Sequence, residues 1–182
     1  MNYVEPIRDE TKVEDISIYL RNQSERNYIM FILGIYSGLR IADILKLRVK
    51  DVKFKDYINI REKKTDKQKI FPINSLVKKE LKIYCENKEP NEYLIKSREG
   101  VNKPLGRGMA YKLIRQAGES NGIGNLGTHS MRKTFGYHFY QQYKDIVTLQ
   151  KIFNHTDPSV TLHYIGIEQS FINNKIKNFK IF

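Results

Sequence analysis

Six residues of the chain have types that can work together on one reaction: Arg40, Lys64, His129, Arg132, His155 and Tyr164. Arginines clamp the non-bridging oxygens of a phosphodiester and neutralise the charge that develops on them. A lysine or a histidine moves protons, and a tyrosine hydroxyl can serve as a covalent nucleophile. Together they are a toolkit for phosphodiester chemistry. Arg40 closes "SGLR", directly after a helix break. His129 and Arg132 lie three apart in "THSMRKTFG" and so share one helix face. Tyr164 follows His155 by nine residues at the end of "HTDPSVTLHY". Each residue also has a plainer reading. Arg40 suits a helix-end surface arginine, His129 and Arg132 a helix start and an ion pair, and Tyr164 is one of twelve tyrosines. Lys64 lies in a run with Lys63, Lys67 and Lys69. Such a run is ordinarily a solvated cluster, and Lys63 and Lys67 compete with Lys64 for any active role.

Other chemistries find no support. No glycine is followed by lysine, so there is no Walker A loop, and neither G-x-S-x-G nor H-E-x-x-H occurs. The four histidines, His129, His138, His155 and His163, lack a cysteine or glutamate pattern around them, so no metal site is expected. Lys and Arg number 32 against 20 Asp and Glu, a net charge of +12. That excess favours polyanions such as nucleic acid. The basic residues are spread along the chain rather than gathered beside an amphipathic anchor, which argues against a membrane partner. One cysteine, Cys85, excludes an intrachain disulfide. The start "MNYVEPIRDE" is not a signal peptide, and the apolar run from Tyr28 to Tyr36 is far shorter than the ~20 residues that cross a bilayer. A cytoplasmic protein is the expectation.

The elements that must position these residues are mostly helical. Thr11-x-x-Glu14 reads as a capping box, with Val13, Ile16 and Leu20 on one face behind it. Ser24 caps a second, apolar helix that runs to Gly38, and "RIADILKL" resumes helical spacing. From Val52 the pattern alternates through Phe54, Ile58, Ile60 and Ile70, with Lys64-Thr65-Asp66-Lys67 as a turn. This predicts a small antiparallel three-stranded sheet with an exposed lysine-rich hairpin. Helices return in "SLVKKELKIYCEN" and "RGMAYKLIRQAGES". Thr128 is expected to cap a helix to about Tyr143, and Asp145 another to about Asn154. Asp157 and Pro158 start a short helix that carries Tyr164, and a last helix begins near Ser170. The class is α+β, helix-rich with one small sheet, in a single domain over residues 1–182.

Four stretches together resemble the tyrosine recombinases, or phage-type integrases. "SGLRIADIL" is similar to that family's first arginine box, and "REKKTDKQKIFPI" to its lysine hairpin. "THSMRKTFG" resembles its H-x-x-R box, and "IFNHTDPSVTLHYI" its histidine–tyrosine segment. They occur in family order, and the resemblance runs from about Pro6 to about Gly166. Two positions depart from the pattern: Asn154 stands where the family has glycine, and Phe153 where it has leucine. Asparagine tolerates the left-handed conformation, so the turn is expected to survive.

The resemblance implies a site-specific DNA recombinase or integrase of a phage or other mobile element. It implies cleavage and rejoining through a 3′-phosphotyrosine at Tyr164, without metal, ATP or other cofactor. Arg40 and Arg132 would hold the phosphate, and Lys64 would protonate the leaving 5′-oxygen. His129 would share the tyrosine proton, His155 would hydrogen-bond the phosphate, and Asp43 would support Arg40 or His129. The helix "GRGMAYKLIRQ" would approach the DNA through Arg107, Lys112 and Arg115. The family also implies double-stranded DNA as partner and a homo-tetramer on paired sites, with a monomer or weak dimer alone. On this resemblance the 182 residues are expected to hold the catalytic domain without the family's N-terminal core-binding domain. Two other readings stay open: a type IB topoisomerase-like relaxase, and a catalytically idle DNA-binding regulator.

Overall fold

The computed structural model describes residues 4–61, 68–167 and 176–180. Its centre is α2 (Glu25–Ser37), which is buried on every side from Asn27 to Gly34. A helix that is apolar all round must be covered all round. Here the cover is α1 (Glu10–Gln23), α4 (Ser75–Tyr84) and α6 (Thr128–Tyr143). The main core gathers Ile16 and Leu20 of α1, Ile29 to Leu33 of α2, and Val77 and Leu81 of α4. Ala110, Ile114 and Ala117 from α5 (Arg107–Ser120), together with Met131 of α6, complete it.

Gly38 ends α2 in the left-handed conformation, φ 64°. A Cβ there would also sit 2.5 Å from the Phe135 ring. Both the backbone angle and the close approach of α6 call for glycine. The chain then turns at Arg40 into the single-turn α3 (Ile41–Ile44), shorter than the helical spacing of "RIADILKL" suggests.

Among the described residues the sheet has two strands, not three: β1 (Tyr57–Arg61) and β2 (Gln68–Pro72). They run antiparallel, with Tyr57 opposite Pro72 and Arg61 opposite Gln68. The expected strand at Val52 and Phe54 is absent for a local reason. Val49–Asp51 forms a 3-10 turn, and Phe54 takes φ 58°, which no strand accommodates. The Val52–Phe54 alternation is therefore a turn that happens to bury Val52 and expose Phe54.

Two caps also lie elsewhere than expected. Asp9, not Thr11, caps α1, accepting from the Thr11 N–H at 2.9 Å. Gly127, not Thr128, is the N-cap of α6, and its N–H is taken by Ser130 Oγ at 3.1 Å. Asp145 caps α7 (Ile146–Phe153), and Asp157 caps α8 (Pro158–Tyr164), each through its carboxylate. A second small core of Leu149, Phe153 and Ile165, with Phe135 and Phe139 against it, fastens α7 and α8 to α6. The start expected for a last helix, near Ser170, lies outside the described residues.

Candidate active site

The end of α2, the first turns of α6, the end of α7 and the end of α8 meet at one place. Arg132 is its fixed point. It lies on the inner face of α6 and is only 5% exposed. Nη1 donates to the Gly38 carbonyl, and Nη2 donates to the Phe153 carbonyl at 2.9 Å. The guanidinium also lies 4.2 Å from the centre of the Phe153 ring. Burial pushes its pKa down to about 10, and Arg40 adds like-charge repulsion, while Tyr164 and Asp43 pull the other way. An arginine at that value is still cationic near neutrality, so the site holds a buried positive charge.

Arg40, the residue just before α3, is exposed at the mouth of the site. Its charge is felt by Arg132, Tyr164, His129 and His155 alike, which places it among them. Asp43, half-buried one turn further on, acts on Arg132. His129, on the first turn of α6, keeps an exposed edge. Partial burial and the charges of Arg132, Lys133 and Arg40 push its imidazole pKa below the usual value.

Tyr164 is half-buried at the last position of α8, edge-on to Phe153 at 5.4 Å and to His155 at 5.3 Å between ring centres. Burial raises its pKa, against the opposing pull of Arg132 and Arg40 and a hydrogen bond from Arg132. The phenol is therefore neutral in the free protein, with its oxygen against the buried arginine. The turn before α8 depends on Asn154, which takes φ 56° and ψ 46° as the C-cap of α7. Asparagine does carry the left-handed turn. His155 follows directly, with Nδ1 3.0 Å from the hydroxyl of Thr161 on α8. That hydroxyl points on to the Asp157 carbonyl at 3.5 Å, so it accepts from Nδ1–H and Nε2 is left for a ligand. Burial first, and Arg132 and Arg40 second, lower the His155 pKa.

The structure thus brings together Arg40, Asp43, His129, Arg132, His155 and Tyr164. Lys64 lies outside the described residues. Arg107, Lys112 and Arg115 are all exposed on α5, and Arg115 donates to Glu119 at 2.8 Å on its own helix. Three residues of the site escape sequence reasoning. Lys133 is 6% exposed, with its ammonium 5.3 Å from the centre of the Tyr164 ring. Thr161 is fully buried and orients His155, and Phe153 supports both Arg132 and Tyr164. The one available signal was adjacency: Lys133 follows Arg132 and Phe153 lies two before His155, but nothing in the pattern turns them inward.

Excess positive charge around one half-buried hydroxyl suits the approach of an anion. Among the described residues no cluster of histidine, cysteine, aspartate or glutamate suits a metal ion, and no helix is long and apolar enough to cross a membrane. Residues 8–170 match the phage integrase family. The probable integrase/recombinase YoeC of Bacillus subtilis is 47% identical over 169 residues, covering 93% of each chain. Tyrosine recombinase XerA of Pyrococcus horikoshii is 24% identical over 94% of this chain but 60% of its own. The fold superimposes on the XerH site-specific recombinase bound to its difH substrate with a TM-score of 0.74, at 18% identity, over 97% of this chain and 54% of that one. The chain accordingly spans little more than half the length of those two proteins. With its fold, its ordered boxes and this match in agreement, the chain belongs to the phage integrase family, the tyrosine recombinases.

Proposed function

We propose that the chain cleaves and rejoins double-stranded DNA through a 3′-phosphotyrosine on Tyr164, as a site-specific recombinase or integrase working in the cytoplasm. The observation that carries this reading is the Tyr164 hydroxyl held against the buried, backbone-anchored guanidinium of Arg132. In the forward step the Tyr164 oxygen bonds to a backbone phosphorus and loses its proton to His129. The bond from phosphorus to the 5′-oxygen breaks, and that oxygen takes a proton from Lys64. Arg40 and Arg132 neutralise the two non-bridging oxygens as charge builds on them. His155 donates from Nε2 to one of the same oxygens, and Asp43 steadies the arginines.

Attack by a second 5′-hydroxyl reverses the step on a new strand. The phosphotyrosine conserves the bond energy, so the cycle needs neither ATP nor a metal. Residues 1–182 act as the catalytic domain on this reading. α5 presents Arg107, Lys112 and Arg115 to the DNA, and four copies assemble on paired sites.

The test is covalent capture. A pool of nicked duplexes of randomised sequence is incubated with the full chain, and adducts are recovered under denaturing conditions. Wild type is expected to yield an adduct whose modified peptide contains Tyr164. Tyr164→Phe is expected to yield none while binding DNA about as well. Equal capture by Tyr164→Phe, or an adduct on another residue, overturns the assignment.

A further inference from the structure

The mechanism leaves one feature of the site unused. Residues 4–8, ahead of α1, form a strap that touches both halves of the site. At one end the Glu5 N–H donates to the Asn125 carbonyl at 3.4 Å, in the loop that leads to His129. In its middle the Ile7 N–H donates to Thr134 Oγ1 at 2.9 Å, and the Ile7 carbonyl accepts from His138 Nε2 at 2.9 Å. Ile7 itself is 2% exposed, so the strap is clasped to α6 at Thr134 and His138, just beyond Arg132 and Lys133.

At the other end Arg8 Nη2 donates to Glu5 Oε2 at 2.9 Å and to the Gly166 carbonyl at 3.3 Å. Gly166 is two residues past Tyr164 and sits at φ 71°, with Arg8 Nη2 only 2.7 Å from where its Cβ would be. A side chain at that position would push the Arg8 guanidinium aside, and a left-handed turn favours glycine in any case. The Glu5 charge also acts on the buried Lys133 ammonium, which faces the Tyr164 ring. One short segment therefore contacts the approach to His129, the neighbour of Arg132, and the turn that ends the nucleophile's helix.

We propose that Glu5 and Arg8 are positioning residues that brace the turn after Tyr164, fixing the angle at which its hydroxyl meets Arg132. The brace as a positioning device rests on the reading of Tyr164 as nucleophile, but the brace as a physical contact does not. The Arg8–Glu5 pair is a partly exposed ion pair, so its loss is expected to act locally and by a modest factor.

Amide hydrogen exchange on the DNA-free, full chain separates the two. Arg8→Ala is expected to speed exchange at residues 164–167 by about two- to five-fold, with the buried amides of α2 and the melting temperature unchanged. Glu5→Ala is expected to do the same, and the double variant is expected to add less than the sum, because the two act on one contact. On nicked duplexes the single variants lower the rate of adduct formation by a similar factor without changing the Kd for DNA, and Arg8→Lys restores it. Unchanged exchange at 164–167 in Arg8→Ala, or additive effects in the double variant, overturns the brace. Absence of a wild-type adduct would instead count against the proposed chemistry, and the exchange comparison would still decide the brace.

Discussion

Phe153 supports Arg132 twice: its carbonyl accepts from Nη2 at 2.9 Å, and its ring lies 4.2 Å from the guanidinium carbon. With the Gly38 carbonyl taking Nη1, the arginine is locked from both sides in the free protein. A preorganised donor costs little reorganisation when charge develops on the phosphate. Among the described residues nothing holds Arg40 in this way. It is exposed, and the two arginines, equivalent in their chemistry, differ in what they do for the fold.

Truncating each arginine is therefore expected to give different results. Arg132→Ala leaves two buried carbonyls without their donor, at ~1–3 kcal/mol each, so it lowers stability as well as activity. Arg40→Ala is expected to change stability by no more than ~0.5 kcal/mol, yet to raise the barrier to adduct formation by ~2.7–4 kcal/mol, or about 10²–10³-fold in rate. Urea denaturation alongside covalent capture reads both quantities. Equal destabilisation by the two variants would contradict the anchoring of Arg132.

Much of this site was legible in the sequence because its signals are local. The break at Gly38, the three-residue spacing of His129 and Arg132, and the carboxylates of Asp145 and Asp157 each act within a turn or two of backbone. Non-local choices were not legible. Val52 and Phe54 alternate like a strand, but tertiary context turns the chain at Phe54. Thr11-x-x-Glu14 has the pattern of a capping box, yet Asp9 stands two residues earlier with the same capability and takes the role. The seating of residues 4–8 on α6 and on Gly166 depends on contacts more than a hundred residues apart, and Lys133 turns inward against the ring of Tyr164 on another helix, which no local pattern encodes.

The two site histidines give the free protein a pH signature. Both have pKa values lowered from the ordinary imidazole value of 6.5. As pH falls below that value the unfolded chain takes up protons that the folded site resists. Stability is thus full above pH 6.5 and is lost as pH drops through the lowered folded values. A bound phosphate has the opposite effect on His155. With Nδ1 engaged by Thr161, a hydrogen bond to phosphate from Nε2 requires the protonated ring. DNA affinity at fixed salt is expected to rise on acidification from pH 8 to 6. His155→Gln should flatten both profiles, as read by denaturant melts and by DNA titrations. A wild-type stability that rises on acidification would contradict the lowered values.

The three basic residues of α5 are expected to differ in their contribution to DNA affinity. Each phosphate contact removed lowers the slope of log K against log salt by ~1. Arg107→Ala and Lys112→Ala should each show this. Arg115 is already paired with Glu119 at 2.8 Å, so a DNA contact would first have to break that pair. Arg115→Ala is expected to change the slope least, and Glu119→Gln to strengthen binding by releasing Arg115. Identical slopes for all three alanine variants and wild type would remove α5 from the DNA interface.

Asn154 holds the turn on which His155 depends. Its N–H donates to the carbonyls of Gln150 and Lys151, and the His155 N–H follows with a bond to Gln150 at 3.1 Å. The Gln150 side chain returns a hydrogen bond to the His155 carbonyl at 3.1 Å. This frame requires φ near 56° at position 154. Glycine adopts that angle freely, so Asn154→Gly is expected to fold with a stability change under ~0.5 kcal/mol. It gains an unstrained backbone and loses some chain entropy. A β-branched residue is poorly suited to it, and Asn154→Val is expected to cost ~1–2 kcal/mol. Because the strain falls on the residue before His155, Asn154→Val should also slow adduct formation, whereas Asn154→Gly should leave the rate near wild type. Thermal melts and capture rates for the pair test this. If Asn154→Val matched Asn154→Gly in both, the left-handed turn would not be what places His155 beside Tyr164.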